Sequence, residues 1–93
     1  MTLEAYLRIC NEAGVAFLNT ELSLAHTFLD LGETTRIAET RRRNNKNARK
    51  AYLTVLRFIP NLELTTAERH SFVRDLNFLR HRLTSKGINI KKI

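Results

Sequence analysis

The side chains that could do acid–base or metal chemistry are few and scattered. The histidines are His26, His70 and His81. On a helix, His70 and His81 share a face with Arg74 and Asn77 between them, but at about 1.5 Å per residue they stand roughly 16 Å apart, too far to share a metal ion. A solvated polar face accounts for them. The single cysteine, Cys10, falls on an apolar helical stripe with no base beside it in sequence, which predicts a buried, inert thiol. There is no glycine-rich phosphate loop and no nucleophile elbow. The expectation is a non-catalytic protein with no catalytic, cofactor-binding or metal residues and no cofactor.

The bases are a different matter. Residues 41–52 read RRRNNKNARKAY. On a helix, Arg36, Arg43, Lys50 and Arg57 recur every seven residues and form one outward stripe, with Arg42, Lys46 and Arg49 beside it. Such a stripe is dense enough to hold phosphates by counterion release. The other parts of a nucleic-acid reader are missing: no short-turn helix pair, no stacking aromatic on the stripe and no second basic arm. Arg41 falls on the inward face instead, where a charge must be paired. Glu21 and Asp30 on the preceding segment are its candidate partners.

A chain of 93 residues allows one domain with a modest core, residues 1–93. Apolar residues make up 43%, which argues against global disorder. Three glycines and one proline starve turns and favour long helices. One cysteine allows no internal disulfide and fits a reducing, cytoplasmic setting. The longest apolar run, Val15-Ala16-Phe17-Leu18, is too short to cross a bilayer, and the first residues show no signal-peptide pattern. The net charge of +7 is uneven. Residues 1–35 hold one base, Arg8, against five acids, whereas residues 36–58 hold eight bases against one acid, Glu39. Either these segments attract each other as neighbours, or the basic one faces an anionic partner.

Three helices must position all of this. The first runs from 2 to about 32, with apolar residues at spacings of three and four from Leu3 and Tyr6 through Phe28, Leu29 and Leu31. Thr2 can cap its start and Gly32 its end, while Gly14 marks a kink or a close approach. The second runs from about 35 to 58, stopped by Pro60 and Asn61. The third, about 66–86, opens on the capping box Thr65-Thr66-Ala67-Glu68 and closes on Gly87 in a left-handed cap, with Ile88 as the accompanying contact. Residues 88–93 form a tail that is either loose or folded back through Ile88, Ile90 and Ile93. Short connections predict an all-α, antiparallel three-helix bundle. If Leu31 faces Ile37, then Phe17 lies near Ala51 and Glu21 near Asn47.

Ala48, Tyr52 and Pro60 have the spacing of the small, aromatic and proline positions in the second helix of a tetratricopeptide repeat, and that stretch resembles one such unit. Val55 stands where the family has a small residue. Leu31-Gly32 is similar to its Leu-Gly pair but lies about four residues too far upstream, and no second copy follows. The resemblance covers roughly 30 residues and implies protein–protein binding. The first expectation is therefore a small helical interaction or assembly module, and the alternative is a basic nucleic-acid-associated protein using the 36–57 stripe. The broad apolar stripe of helix 1 predicts a partner protein or self-association as a homodimer, through a strip drawn from Leu3, Leu7, Leu18, Leu22 and Leu29.

Overall fold

The structure is a computed structural model that describes residues 1–90. The fold is an all-α bundle of three helices: α1 (Leu3–Thr34), α2 (Ala38–Phe58) and α3 (Thr66–Ser85), with a single 3₁₀ turn at Ile59–Asn61. The Thr2 hydroxyl caps α1 by accepting from the Ala5 amide at 3.1 Å. The capping box of α3 is complete: the Glu68 amide donates to Thr65 Oγ1 at 3.1 Å, and the Thr65 amide donates to Glu68 Oε1 at 2.9 Å. At its other end Gly87 adopts φ +74°, the Ile88 amide donates to Leu83 O, and the Gly87 amide donates to Thr84 O. That pair of bonds is a Schellman cap. Ile88 and Ile90 pack against the core, so the tail folds back as far as it is described; Ile93 lies outside the described residues.

Helix ends and register differ from the sequence expectation. Gly32 does not cap α1, which continues to Thr34. Gly32 is buried at a close crossing, where a Cβ would stand 2.9 Å from Asn45 Oδ1. Thr35–Ile37 is extended, so α2 begins three residues later than expected, and Ile37 is 63% exposed. Both changes slide the pairing by about two turns. Phe17 meets Phe58 edge-on, with ring centroids 6.4 Å apart, and not Ala51. Gly14 meets the Leu62 side chain of the α2–α3 connection, a close approach to a loop and not to a neighbouring helix as expected.

The core holds Leu18, Leu22, Ala25 and Leu29 of α1, Ala48, Ala51, Tyr52 and Val55 of α2, and Phe72, Leu79 and Leu83 of α3. Small residues on the facing sides of α1 and α2 let those helices approach closely, and α3 fills the groove with larger side chains. At about 1.5 Å per residue, α1 is roughly 48 Å long, against about 31 Å for α2. It spans nearly all of the molecule's 53 Å axis. Its first turns therefore project past the end of α2: residues 1–10 are exposed except for half-buried Ala5. Asn11 is held to the α2–α3 connection by two bonds, donating to Glu63 O at 2.9 Å and accepting from the Glu63 amide at 2.8 Å.

Candidate functional site

Electrostatic pairing runs differently from the sequence expectation. The ion pairs among the described residues join α1 to α3, not to α2. Arg82 Nη2 lies 2.8 Å from Asp30 Oδ1 and 3.3 Å from Glu33 Oε1, and Lys86 Nζ lies 2.7 Å from Glu33 Oε1. Arg82 Nη1 also sits 2.8 Å from His26 Nδ1. A guanidinium can only donate, so His26 Nδ1 accepts and the ring is neutral. Burial first, and the Arg82 charge second, hold the His26 pKa below the usual histidine value. Bonds from Lys86 and Arg82 hold the Glu33 carboxyl below its usual range. Arg41 is exposed and not inward as expected, yet it is anchored to the end of α1, by carbonyls and not by Glu21 or Asp30. Its Nε donates to Gly32 O at 3.3 Å and its Nη2 to Thr35 O at 3.1 Å. The last turn of α1 has no base of its own, and Arg41 supplies that charge from α2.

The basic residues are dispersed more than the heptad implied. Arg36 lies in the extended connection and leaves the helical stripe. Arg42, Arg43, Lys46 and Lys50 are exposed on α2. Arg49 is half-buried and donates to Asn89 O. Arg57 sits over the Phe58 ring, 5.8 Å from its centroid.

The self-association strip needs the larger correction. Leu18, Leu22 and Leu29 are core residues, at most 4% exposed, because α2 and α3 close on that side of α1. Only Leu3 and Leu7 of the strip are exposed. A second row, which sequence reading had merged with the first, faces solvent instead: Leu3, Tyr6, Ile9, Cys10, Phe17, Leu24 and Leu31. Cys10 is thus exposed, contrary to the buried thiol expected. Ala13, Ala16, Thr20, Ser23 and Thr27 lie between these residues and are exposed too. The residues named on this face carry no charge, but acids line its edges: exposed Glu12 and Asp30 stand about five turns apart on one side, with Asp30 turned to Arg82, and half-buried Glu21 stands about five turns below Leu3 on the other. The signal was present in the sequence as an apolar residue at every seventh position from Leu3, with Cys10, Phe17, Leu24 and Leu31 following.

An open cleft flanks the projecting end of α1, lined by Leu7, Arg8, Asn11, Val15, Leu62 and Glu68 among others. Its lining also includes the charged residues Glu4, Glu12 and Glu63. Among the described residues there is no group of three or more His, Cys, Asp or Glu able to hold a metal ion, and no helix is long and apolar enough to cross a membrane. Comparison with known proteins finds no matching family model, no matching curated protein and no matching solved structure.

Proposed function

We propose that this chain is a small, non-catalytic helical assembly module that binds another protein along the outer face of α1. One observation carries the proposal: that face is exposed along the helix and apolar at its large positions, with charge only along its edges, at Glu12, Glu21 and Asp30. A helix face meant for water carries charges, as α2 does at Arg42, Arg43, Lys46 and Lys50. A long, largely apolar face left exposed on a small domain marks a contact. The tetratricopeptide-like spacing of Ala48, Tyr52 and Pro60 implies the same class of function. The test is affinity capture with the full chain and with Leu24→Glu, which is 40% exposed and outside the core. The variant should keep its helical circular dichroism and lose its partner. Equal capture by both chains would place the contact elsewhere.

The exposed bases of α2 support a second proposal, an anionic partner such as nucleic acid. Arg43→Glu with Lys50→Glu should leave the fold intact, since both residues point outward. Oligonucleotide binding that collapses with salt and disappears in this variant would favour the second reading over the first.

A further inference from the structure

We infer that the occupant of the α1 outer face is a second copy of this chain, docked antiparallel along the same face. The inference rests on the protein-binding reading above and narrows it to one partner.

Three observations select a second copy. The first is the period. Leu3, Cys10, Phe17, Leu24 and Leu31 repeat every seven residues, and Tyr6, Ala13, Thr20 and Thr27 repeat every seven between them. Alternating steps of three and four give the 3.5-residue period of a seam between two helices. The core face of α1, Leu18, Leu22, Ala25, Leu29 and Gly32, lies on the other side of the helix, and Phe17 of the seam touches the bundle only edge-on, at Phe58. Second, the face complements itself. Its large side chains stand in one row, and small ones fill the adjacent row from Ala13 onward. A parallel copy would set Phe17 against Phe17 and Ala13 against Ala13, crowding one layer and hollowing the next. An antiparallel copy pivoted midway between Phe17 and Thr20 sets large against small, with Phe17 beside Thr20 of the other copy and Leu24 beside Ala13.

Third, charge and area permit it. Copies of a +7 chain repel one another, but the bases lie mainly on α2 and α3. The outer face of α1 is where two copies can meet without opposing them. From Leu3 to Leu31 the seam runs about 42 Å. The half-exposed rings of Tyr6 and Phe17 each present on the order of 100 Å². With the leucines, Ile9 and the small residues, the face approaches the roughly 800 Å² per partner of a standard interface. A symmetric pair with one self-complementary patch is the commonest oligomer.

The test is sedimentation equilibrium of the full chain at tens of micromolar, with Thr20→Glu, Thr20→Ser and Lys50→Glu alongside. Thr20 is exposed and outside the core, so a glutamate there charges the middle of the seam without touching the monomer. The wild type, Thr20→Ser and Lys50→Glu should sediment at twice the 10.8 kDa chain mass. Thr20→Glu should weaken the dimer at least about tenfold while its helicity is unchanged. Cys10 reports orientation. About this pivot, midway between Phe17 and Thr20, the two Cys10 residues lie roughly 26 Å apart along the axis, and a disulfide needs Cα atoms within about 7 Å, so mild oxidation should trap no dimer. A disulfide-linked dimer would overturn the antiparallel arrangement. A dimer that persists undiminished in Thr20→Glu would overturn the face. A wild type that stays at 10.8 kDa overturns the second copy. In that case, a protein captured by the wild type and lost by Thr20→Glu would leave the broader binding reading standing, whereas no capture would remove both.

Discussion

Arg82 is the side chain whose removal should be felt most outside the apolar core. It reaches from α3 to three groups along one face of α1, His26, Asp30 and Glu33, at spacings of four and three residues. Its own side chain is only 18% exposed. Arg82→Met keeps most of the stem and removes the guanidinium. The bond to half-buried His26 is worth about 1 kcal/mol. The pair with Asp30, whose side chain is 66% exposed, adds about half as much once solvent screening is allowed for. Glu33 is not orphaned, because Lys86 stays 2.7 Å away. The expected loss at pH 7 is therefore about 1.5 kcal/mol, a fall in Tm of roughly 6–12 °C for a domain of this size. Urea and thermal melts followed by circular dichroism measure it. At pH 3, well below the ordinary histidine range, protonation of the His26 ring removes the acceptor that Arg82 uses, so the gap between variant and wild type should narrow. A loss below about 0.5 kcal/mol at pH 7 would show that the cluster is only a solvated surface arrangement. A gap unchanged at pH 3 would show that packing of the stem, not charge, joins α3 to α1.

The same cluster fixes the sign of a pH effect. Because the folded His26 pKa lies below the ordinary value, the unfolded chain binds more protons in the window between that value and about 6.5, and stability should fall as pH drops through it. An NMR titration in which the His26 ring protonates at or above the free-histidine value would contradict this. Thr65→Ala should cost about 1 kcal/mol, because the Glu68 amide loses its acceptor, and Glu68→Ala should cost less; unchanged melts would place the start of α3 elsewhere. Gly32→Ala gains helix propensity of about 1 kcal/mol but sets its methyl 2.9 Å from Asn45 Oδ1, a buried oxygen with no hydrogen-bond partner among the described residues. Adding Asn45→Ala removes both the collision and the unpartnered oxygen. A double-mutant cycle should therefore give a favourable coupling of at least about 0.5 kcal/mol, and strict additivity would show that the two residues do not meet.

What could be read from the sequence was whatever local chemistry decides. The capping box at Thr65–Glu68, the Thr2 cap and the Gly87 cap each depend on a few neighbouring residues, and each forms as expected. Helix number and class also follow from local periodicity. The end of α1 did not, since Gly32 has two uses, as a left-handed cap or as a surface for close approach. The second use is realised because Asn44 and Asn45 of α2 come to rest against it. That choice is tertiary, and it carried the register with it, moving Phe17 from Ala51 to Phe58.

The outer face of α1 escaped notice for a related reason. α1 bears two apolar rows, and both are spaced by threes and fours. Leu18, Leu22, Ala25 and Leu29 form one; Leu3, Cys10, Phe17, Leu24 and Leu31 form the other. Periodicity alone cannot say which row enters the core, and merged together they read as a single broad stripe. Composition offers a finer criterion. The core row places a small residue, Ala25 or Gly32, one turn from its leucines, where α2 presents Ala48 and Ala51 for a close crossing. The outer row keeps its large residues seven apart and its small ones on a separate line. Within one bundle such a row gains little: its large residues stay at least 40% exposed, and Phe17 touches Phe58 of α2 only edge-on. Its regularity over the length of a 32-residue helix is what the proposed antiparallel seam with a second copy would use.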